Sequence, residues 1–424
     1  MADVKPLARA AVIAVGSELL TPLRVDTNSL FITEQLNQLG IVLTAKAVVG
    51  DDRNELASTF RHFLERVDLV ICCGGLGPTD DDVTREVVAS VLELELREDE
   101  ALTEQMRARF AARGYGTAMP EINRRQAMVP DGARVIANGR GSAPGLWIES
   151  RERLVLLLPG PPRELKPMLT DLVAGPLRAR GAGVPLARRV LKIAGRIESQ
   201  TEEELQPLYR EWRTAPVPVD ATILAALGQL ELHLTARSAS REQSDRVLEA
   251  AVRQVLGVLG DDVFTTVGAP LEQVVGEMLA SRGLRIAAAE SCTGGLLTSR
   301  LTDIPGSSGY VDRAVVSYSN AAKTDLLGVP ADLIAAHGAV SEPVAAAMAD
   351  GIRLRSSVEV GVGITGIAGP GGGSTEKPVG TVAVAVSTAE ERRVRTFRFN
   401  GEREQVKFQA SQAGLDMVRR LLLS

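Results

Sequence analysis

Apolar runs of strand length recur through the first 173 residues, and each ends in glycine or acidic residues that precede a helical pattern. Ala10–Val15 runs into Gly16-Ser17-Glu18, Ile41–Val49 leads to Asp51-Asp52, and Asp68–Cys73 runs into Gly74-Gly75-Leu76-Gly77-Pro78. Between them, Thr27–Leu39 has apolar residues at helical spacing (Leu30, Phe31, Leu36, Leu39), with Asp26 or Thr27 as its cap and Gly40 as its stop. Asn54–Glu65 reads as a second helix. Leu154–Leu158 is a further strand, followed by Pro159-Gly160-Pro161-Pro162 and another helix from about Arg163. A β-α-β-α-β order constrains the chain strongly. It implies a parallel sheet with helices on both faces, and it gathers ligand-binding residues at the carboxyl ends of the strands.

The α/β texture returns near the C-terminus. Leu271–Ser281 is helical and Leu284–Ala289 is strand-like. Ala314–Tyr318, Val358–Ile364, Gly380–Ser387 and Arg392–Phe399 are further strands, and Glu402–Leu422 is a closing helix. The middle differs. Arg188–Ala194 reads as a strand, Glu198–Tyr209 as a helix, and Ala221–Ala225 with Gln229–Ala236 as a hairpin around Leu227-Gly228. Arg241–Leu259 is a long helix capped by Ser240. The expected organisation is two α/β domains, 1–173 and 267–424, joined by a small α+β module over 174–266.

Composition excludes several function classes. Lys+Arg number 48 against 53 Asp+Glu, and aromatics make up only 3%, which is a poor footprint for nucleic acid. Three cysteines and three histidines give neither a disulfide framework nor a C-x-x-C zinc pair. No apolar run approaches the roughly 18–20 residues that span a bilayer. The short stretch Ala10–Gly16 reads as a first strand rather than a signal peptide. A cytoplasmic enzyme acting on small molecules is the expected class, with no membrane partner.

The turn after Asp68–Cys73 is rich in glycine and then acidic: Asp80, Asp81 and Asp82 follow Gly74, Gly75 and Gly77. Glycines here let backbone N–H groups approach a phosphate, and the helix start adds its dipole. One aspartate suffices for capping. Three beside a phosphate cradle repel the phosphate unless a hard cation intervenes, so Mg²⁺ or Mn²⁺ is implied. A tight turn with an acidic helix start is the competing reading. Glu18, Asp26, Asn28 and Asp51 fall at neighbouring strand ends, where they can line the same crevice.

In the last segment Glu290-Ser291-Cys292-Thr293-Gly294-Gly295 follows an apolar strand and opens a helix. Ser291 is a candidate nucleophile, and the N–H groups at Thr293–Gly295 are candidate oxyanion donors. No histidine stands nearby in the motif set. Lys323, one turn into the helix after Ser317-Tyr318-Ser319-Asn320, can serve as base if burial disfavours its ammonium. Cys292 is the rival nucleophile. Thr365-Gly366 begins a glycine-dense loop that can approach a ligand closely.

These motifs resemble the CinA family (competence/damage-inducible protein A). Gly16–Leu20, Asp26-Thr27-Asn28, Gly74–Thr84 and Pro159–Pro162 are similar to its N-terminal domain, itself similar to molybdopterin-binding proteins. Gly74, Gly75, Gly77, Asp82 and Thr84 match the glycine-rich motif, and Asp51 matches an earlier aspartate. The resemblance implies ADP-ribose pyrophosphatase activity with a divalent metal (Mg, Mn or Co). Glu290–Gly295, Tyr318–Lys323, Gly363–Pro370 and Gly401-Glu402-Arg403 resemble the nicotinamide-nucleotide amidase domain. That implies Ser291 as nucleophile, Lys323 as base, Tyr318 and Thr365 in the active site, Arg403 on a phosphate, and no cofactor. It implies nicotinamide mononucleotide and ADP-ribose as substrates, pyridine-nucleotide salvage as the role, and a homodimer as the assembly. The rival is a non-catalytic molybdopterin- or nucleotide-binding protein, or a DNA-uptake accessory factor. The middle segment resembles a KH-type module, but it lacks a Gly-x-x-Gly clamp, which argues against RNA.

Overall fold

The computed structural model describes residues 6–112, 119–150, 152–181 and 186–424. The chain divides into two compact units. One runs through Leu186 and includes Ser238–Arg241; the other comprises Ala187–Arg237 and Glu242–Ser424.

The first unit is built on a six-stranded sheet in the order Val42–Val49, Arg9–Val15, Leu69–Cys73, Arg153–Leu158, Gly145–Ser150, Arg134–Ile136. The first four strands are parallel, as the alternating pattern implies. The last two are antiparallel additions at one edge. Side chains of Arg9–Val15 alternate between two cores. Ala10, Val12 and Ala14 pack with the helices Asn28–Gln38 and Pro162–Ala174. Ala11, Ile13 and Val15 pack with Arg53–Leu64 and Thr84–Leu92. A strand buried on both faces reads as a continuous apolar run for this reason, and each fully buried Val or Leu contributes about 1.5–3 kcal/mol.

Asp26, not Thr27, caps Asn28–Gln38: its Oδ1 accepts from the Ser29 N–H at 3.0 Å. Glycine is required at Gly74, where φ is +106° and a Cβ would run into the Val15 carbonyl oxygen on the neighbouring strand. Gly74→Ala is therefore expected to destabilise the first unit by about 2–4 kcal/mol, through strain and overpacking. Denaturant unfolding checks this; an unchanged midpoint would show that the turn yields freely.

In the second unit, the sheet Val219–Ala226, Gln229–Ala236, Ala187–Ile193, Val263–Thr265 is antiparallel throughout. Helices Glu198–Thr214 and Arg241–Leu259 contribute Leu205, Trp212, Leu248 and Val255 to its core. The remainder holds a five-stranded sheet ordered Val311–Val316, Ile286–Glu290, Val360–Gly366, Thr381–Ser387, Arg392–Arg398. Its first three strands are parallel and its last two antiparallel. The strand expected at Ala314–Tyr318 lies at Val311–Val316, because the chain turns off after Ser317 to enter the helix Asn320–Leu327. Helix Glu342–Ser356 lies directly on Val360–Gly366, where a Cβ at Gly361 or Gly363 would collide with the carbonyls of Ala349 and Ala345. No helix among the described residues is long and apolar enough to cross a membrane.

Candidate active site

The three parallel strands of the last domain end at one sheet edge. Ile286–Glu290 delivers Ser291, and the Ser291 N–H donates to the Ile364 carbonyl at 2.9 Å. Val311–Val316 delivers Ser317, Tyr318 and Ser319. The Ser319 hydroxyl accepts from the Ala322 N–H at 3.0 Å, and this cap starts the short helix that carries Lys323.

Lys323 is almost wholly buried (1% exposed). Its Nζ lies 3.1 Å from Ser291 Oγ, 2.8 Å from the Ser317 carbonyl and 3.4 Å from the Tyr318 carbonyl. Burial lowers its pKa below the ordinary lysine value. All three partners can accept from the ammonium; in the neutral amine two N–H bonds go to the two carbonyls and the lone pair is left for the Ser291 hydroxyl. Cys292 is different. Its thiol is buried in the apolar core, and that burial pushes its pKa up to about 12. A thiolate there is strongly disfavoured, so Cys292 is a packing residue.

Several expected roles are corrected. The Gly294 and Gly295 N–H groups at the turn are not free to receive an oxyanion. Gly295 and Leu297 donate to Glu290 Oε2 at 3.0 and 3.1 Å, and Thr298 donates its N–H and hydroxyl to Oε1 at 3.0 and 2.7 Å. The Gly294 N–H donates to the Ser291 carbonyl at 3.2 Å. The fully buried Glu290 carboxylate thus fills the helix N-terminus. Thr293 is also buried, so it offers no surface to a ligand. Thr365 Oγ1 donates to the Ala339 carbonyl at 2.8 Å and acts as a buried brace. Gly366 packs against Cys292 and Val382. Tyr318 reaches Lys323 only through its carbonyl. Its ring is exposed, and its hydroxyl accepts from Arg403 Nη2 at 3.1 Å. Arg403 Nη1 donates to the Gly369 carbonyl at 2.6 Å.

Sequence reasoning missed what Glu290 does, although a carboxylate just before a glycine-rich helix start is a readable signal. It also missed Ser317, whose carbonyl anchors Lys323. Thr293 Oγ1 and Ser317 Oγ are both buried without a hydrogen-bond partner.

The first unit has its own cleft, about 820 Å³ in volume, at the carboxyl edge of its sheet. Glu18, Asp26, Asn28, Asp51, Gly74, Gly75, Gly77, Asp81 and Asp82 all line it. Asn28 Nδ2 donates to the Gly160 carbonyl at 2.7 Å, which leaves its buried Oδ1 unpartnered. Ser17 and Asp51 bond reciprocally, the Ser17 N–H to Asp51 Oδ2 at 2.8 Å and the Asp51 N–H to Ser17 Oγ at 3.1 Å. Thr84 does not line the cleft. It is fully buried and holds the turn, donating its hydroxyl to the Gly74 carbonyl at 2.8 Å and its N–H to Gly75 at 3.1 Å.

The three aspartates do not converge. Asp80 turns outward to pair with Arg125 at 2.8 Å. Asp82 accepts from the Thr79 N–H and hydroxyl at 2.9 and 2.6 Å, a turn-closing role. Among the described residues, no group of three or more His, Cys, Asp or Glu side chains is arranged to hold a metal. The donor set still fits a hard cation that takes one or two carboxylates and completes its shell with water and substrate phosphate, and Asp81 and Asp82 are the candidates.

Three family models match successive parts of the chain. Residues 11–179 match the family described as a probable molybdopterin binding domain, 188–265 the damage-inducible protein CinA KH domain, and 268–422 the CinA C-terminal domain. A CinA-like protein of Acidobacterium capsulatum is 46% identical over 422 residues, covering 98% of this chain and 100% of its own. A putative competence-damage inducible protein of Symbiobacterium thermophilum is 43% identical over 433 residues, covering 98% and 99%. Among solved structures, the protein CinA from Thermoplasma acidophilum, described as of unknown function, is 35% identical. It covers 39% of this chain and 96% of its own, at a TM-score of 0.37.

Proposed function

We propose, from the premise that this chain belongs to the CinA family, that its C-terminal domain hydrolyses nicotinamide mononucleotide to nicotinate mononucleotide and ammonia. One observation carries the reading: a buried lysine amine stands 3.1 Å from a serine hydroxyl, with its remaining contacts both carbonyl oxygens. Ser291 Oγ attacks the carboxamide carbon while its proton passes to Lys323 Nζ. The tetrahedral intermediate collapses, the C–N bond breaks, and Lys323 returns the proton to the leaving nitrogen as ammonia. Water then attacks the acyl-serine ester and gives its proton to Lys323. The carboxylic acid is released, Ser291 recovers its hydroxyl, and the acid loses its proton to solvent. No step calls for a cofactor.

For the N-terminal domain the reading is metal-dependent cleavage of ADP-ribose. Asp81 and Asp82 would hold a divalent ion, which on binding would neutralise pyrophosphate charge. The glycine turn and Asn28 would hold the nucleotide. A second reading, binding of a molybdopterin-like or nucleotide ligand without turnover, is favoured by the outward turn of Asp80. Both substrates derive from NAD, which makes cytoplasmic pyridine-nucleotide salvage by a homodimer the coherent role. The test is purified protein assayed for ammonia release from nicotinamide mononucleotide and for AMP formation from ADP-ribose. Ammonia without AMP would leave the first unit as a binding domain; neither product would sink both enzymatic readings.

The lysine supplies a further expected outcome. The base must be neutral, so kcat/KM for ammonia release should rise with pH as Nζ loses its proton. Because burial lowers this pKa, the rise should fall below the ordinary lysine value of about 10.4. A pH–rate profile that stays flat or falls across that range would remove Lys323 from the role of base.

A further inference from the structure

The turn after Arg153–Leu158 lies against the glycine turn of the first unit. A Cβ at Gly160 would come 3.4 Å from the Gly74 Cα. A phosphate held at Gly74–Gly77 would therefore place the sugar bonded to it beside the corner Pro159–Glu164. Two acceptors flank that corner. Asn28 Oδ1 is buried without a hydrogen-bond partner, because the amide nitrogen of Asn28 donates to the Gly160 carbonyl at 2.7 Å. Glu164 lines the same cleft and is only 8% exposed.

Glu164 is held in place rather than neutralised. Its Oε2 accepts from Asn138 Nδ2 at 2.8 Å. Asn138 Oδ1 accepts the Arg140 and Gly141 N–H groups at 3.0 and 2.8 Å, which fixes the orientation of that amide. Arg109 fastens the same loop, donating to the carbonyls of Asn138 and Gly139 at 2.8 and 2.7 Å. The other carboxylate oxygen, Oε1, accepts no hydrogen bond among the described residues. The cation within ion-pair reach of it is Arg163, whose Nε stands 3.8 Å away on a side chain that is 78% exposed. Water screens such a contact, and it contributes little.

The helix does not explain this carboxylate. Glu164 falls in the first turn of Pro162–Ala174, where negative charge is favoured. Yet it accepts from none of that helix's N–H groups, and the dipole gives no reason to bury it. A carboxylate buried against one uncharged donor costs free energy. Asn28 Oδ1, on the same cleft, lacks a donor too. A phosphate cannot supply one, since its ionised oxygens only accept. The neutral, hydroxyl-bearing part of a nucleotide can, and an acidic side chain accepting from ribose hydroxyls is a recurrent contact in α/β nucleotide sites.

We propose that Glu164, with Asn28, accepts from the vicinal hydroxyls of the ribose next to the bound phosphate, so that this cleft takes ribonucleotides and discriminates against their 2′-deoxy counterparts. The proposal rests on the nucleotide reading of the cleft, not on turnover there. Glu164 is a specificity residue for the sugar.

The experiment is titration calorimetry on the full chain with Mg²⁺ present. The probes are ADP, 2′-deoxy-ADP and inosine 5′-diphosphate. The unmutated protein should bind ADP about 10- to 100-fold more tightly than 2′-deoxy-ADP, the range expected of hydrogen bonds to a charged acceptor. Glu164→Gln keeps the shape of the side chain and removes its charge. It should weaken ADP toward the level of 2′-deoxy-ADP, and 2′-deoxy-ADP itself should change little. Glu164→Asp withdraws the carboxylate by one methylene and should give the same collapse. Equal weakening of ADP and 2′-deoxy-ADP in both variants would assign Glu164 to structure and overturn the proposal. An unchanged ribose preference would overturn it as well, as would no binding of ADP to the unmutated protein. Loss of a preference for ADP over inosine 5′-diphosphate, with the ribose preference intact, would show that Glu164 reads the base amino group instead. A ribose preference that collapses in both variants, without AMP formation from ADP-ribose, would end the pyrophosphatase reading and leave the ribose site standing.

Discussion

Ser291→Ala should abolish ammonia release from nicotinamide mononucleotide, with a loss on the order of 10³-fold or more. The substitution removes the atom that would form the acyl intermediate, and the rival nucleophile Cys292 is held as a thiol. Cys292→Ala should therefore keep most of the activity, since burial pushes that thiol's pKa up to about 12. Lys323→Met should be nearly as damaging as Ser291→Ala, because residues that act as one unit do not contribute additively. Lys323→Arg should not rescue, since a guanidinium stays protonated and cannot accept the serine proton. Ammonia release is the measurement. Retention in Ser291→Ala together with full loss in Cys292→Ala would reverse the assignment.

Removing divalent metal should have an equally one-sided effect. Chelation is expected to stop AMP formation from ADP-ribose and to leave ammonia release unaltered. The cleft of the first unit is lined by Glu18, Asp26, Asp51, Asp81, Asp82 and Glu164, and among the described residues Arg24 is the one basic side chain that lines it. A pyrophosphate entering this field is repelled unless cations screen it. Asp81→Asn should reproduce the effect of chelation, because it leaves the Thr79–Asp82 bonds in place. Asp82→Ala is less informative, since it also opens that turn. Ammonia release lost with the metal would mean that metal-bound water, not Ser291, attacks the amide.

The architecture was readable where burial on both sides of a sheet leaves an uninterrupted apolar run, as at Leu69–Cys73. It was not readable at Gly145–Ser150 and Arg134–Ile136. These short strands join one edge antiparallel, and their partners are fixed by tertiary packing rather than by any local pattern. The serine was readable because it sits just past a strand end, the lysine because it lies in the first turn of the helix that follows the next strand end, and the structure brings them together. The direction of their neighbours' side chains was not. A motif lists Thr84, Thr293 and Thr365 beside the glycines with equal weight, whereas the structure buries all three. Likewise, three consecutive aspartates suggest one cluster, yet successive residues in a turn point different ways. Asp80 leaves for Arg125 and Asp82 folds back on Thr79. No local pattern marks Gly361 and Gly363 as the places where a helix crosses the sheet so closely that a Cβ would collide with it.

The lowered basicity of Lys323 has a consequence for the proposed substrate. The nicotinamide ring of the mononucleotide is a pyridinium and carries a fixed positive charge next to the carboxamide under attack. An ordinary lysine beside Ser291 would meet that ring as an ammonium, and the two charges would repel in a site from which water is largely excluded. With its pKa lowered by burial, the lysine can receive the ring as an uncharged amine. It becomes charged only when it accepts the serine proton, as the carbonyl oxygen gains negative charge. The same desolvation that would make Lys323 a base would therefore also admit a cationic ring.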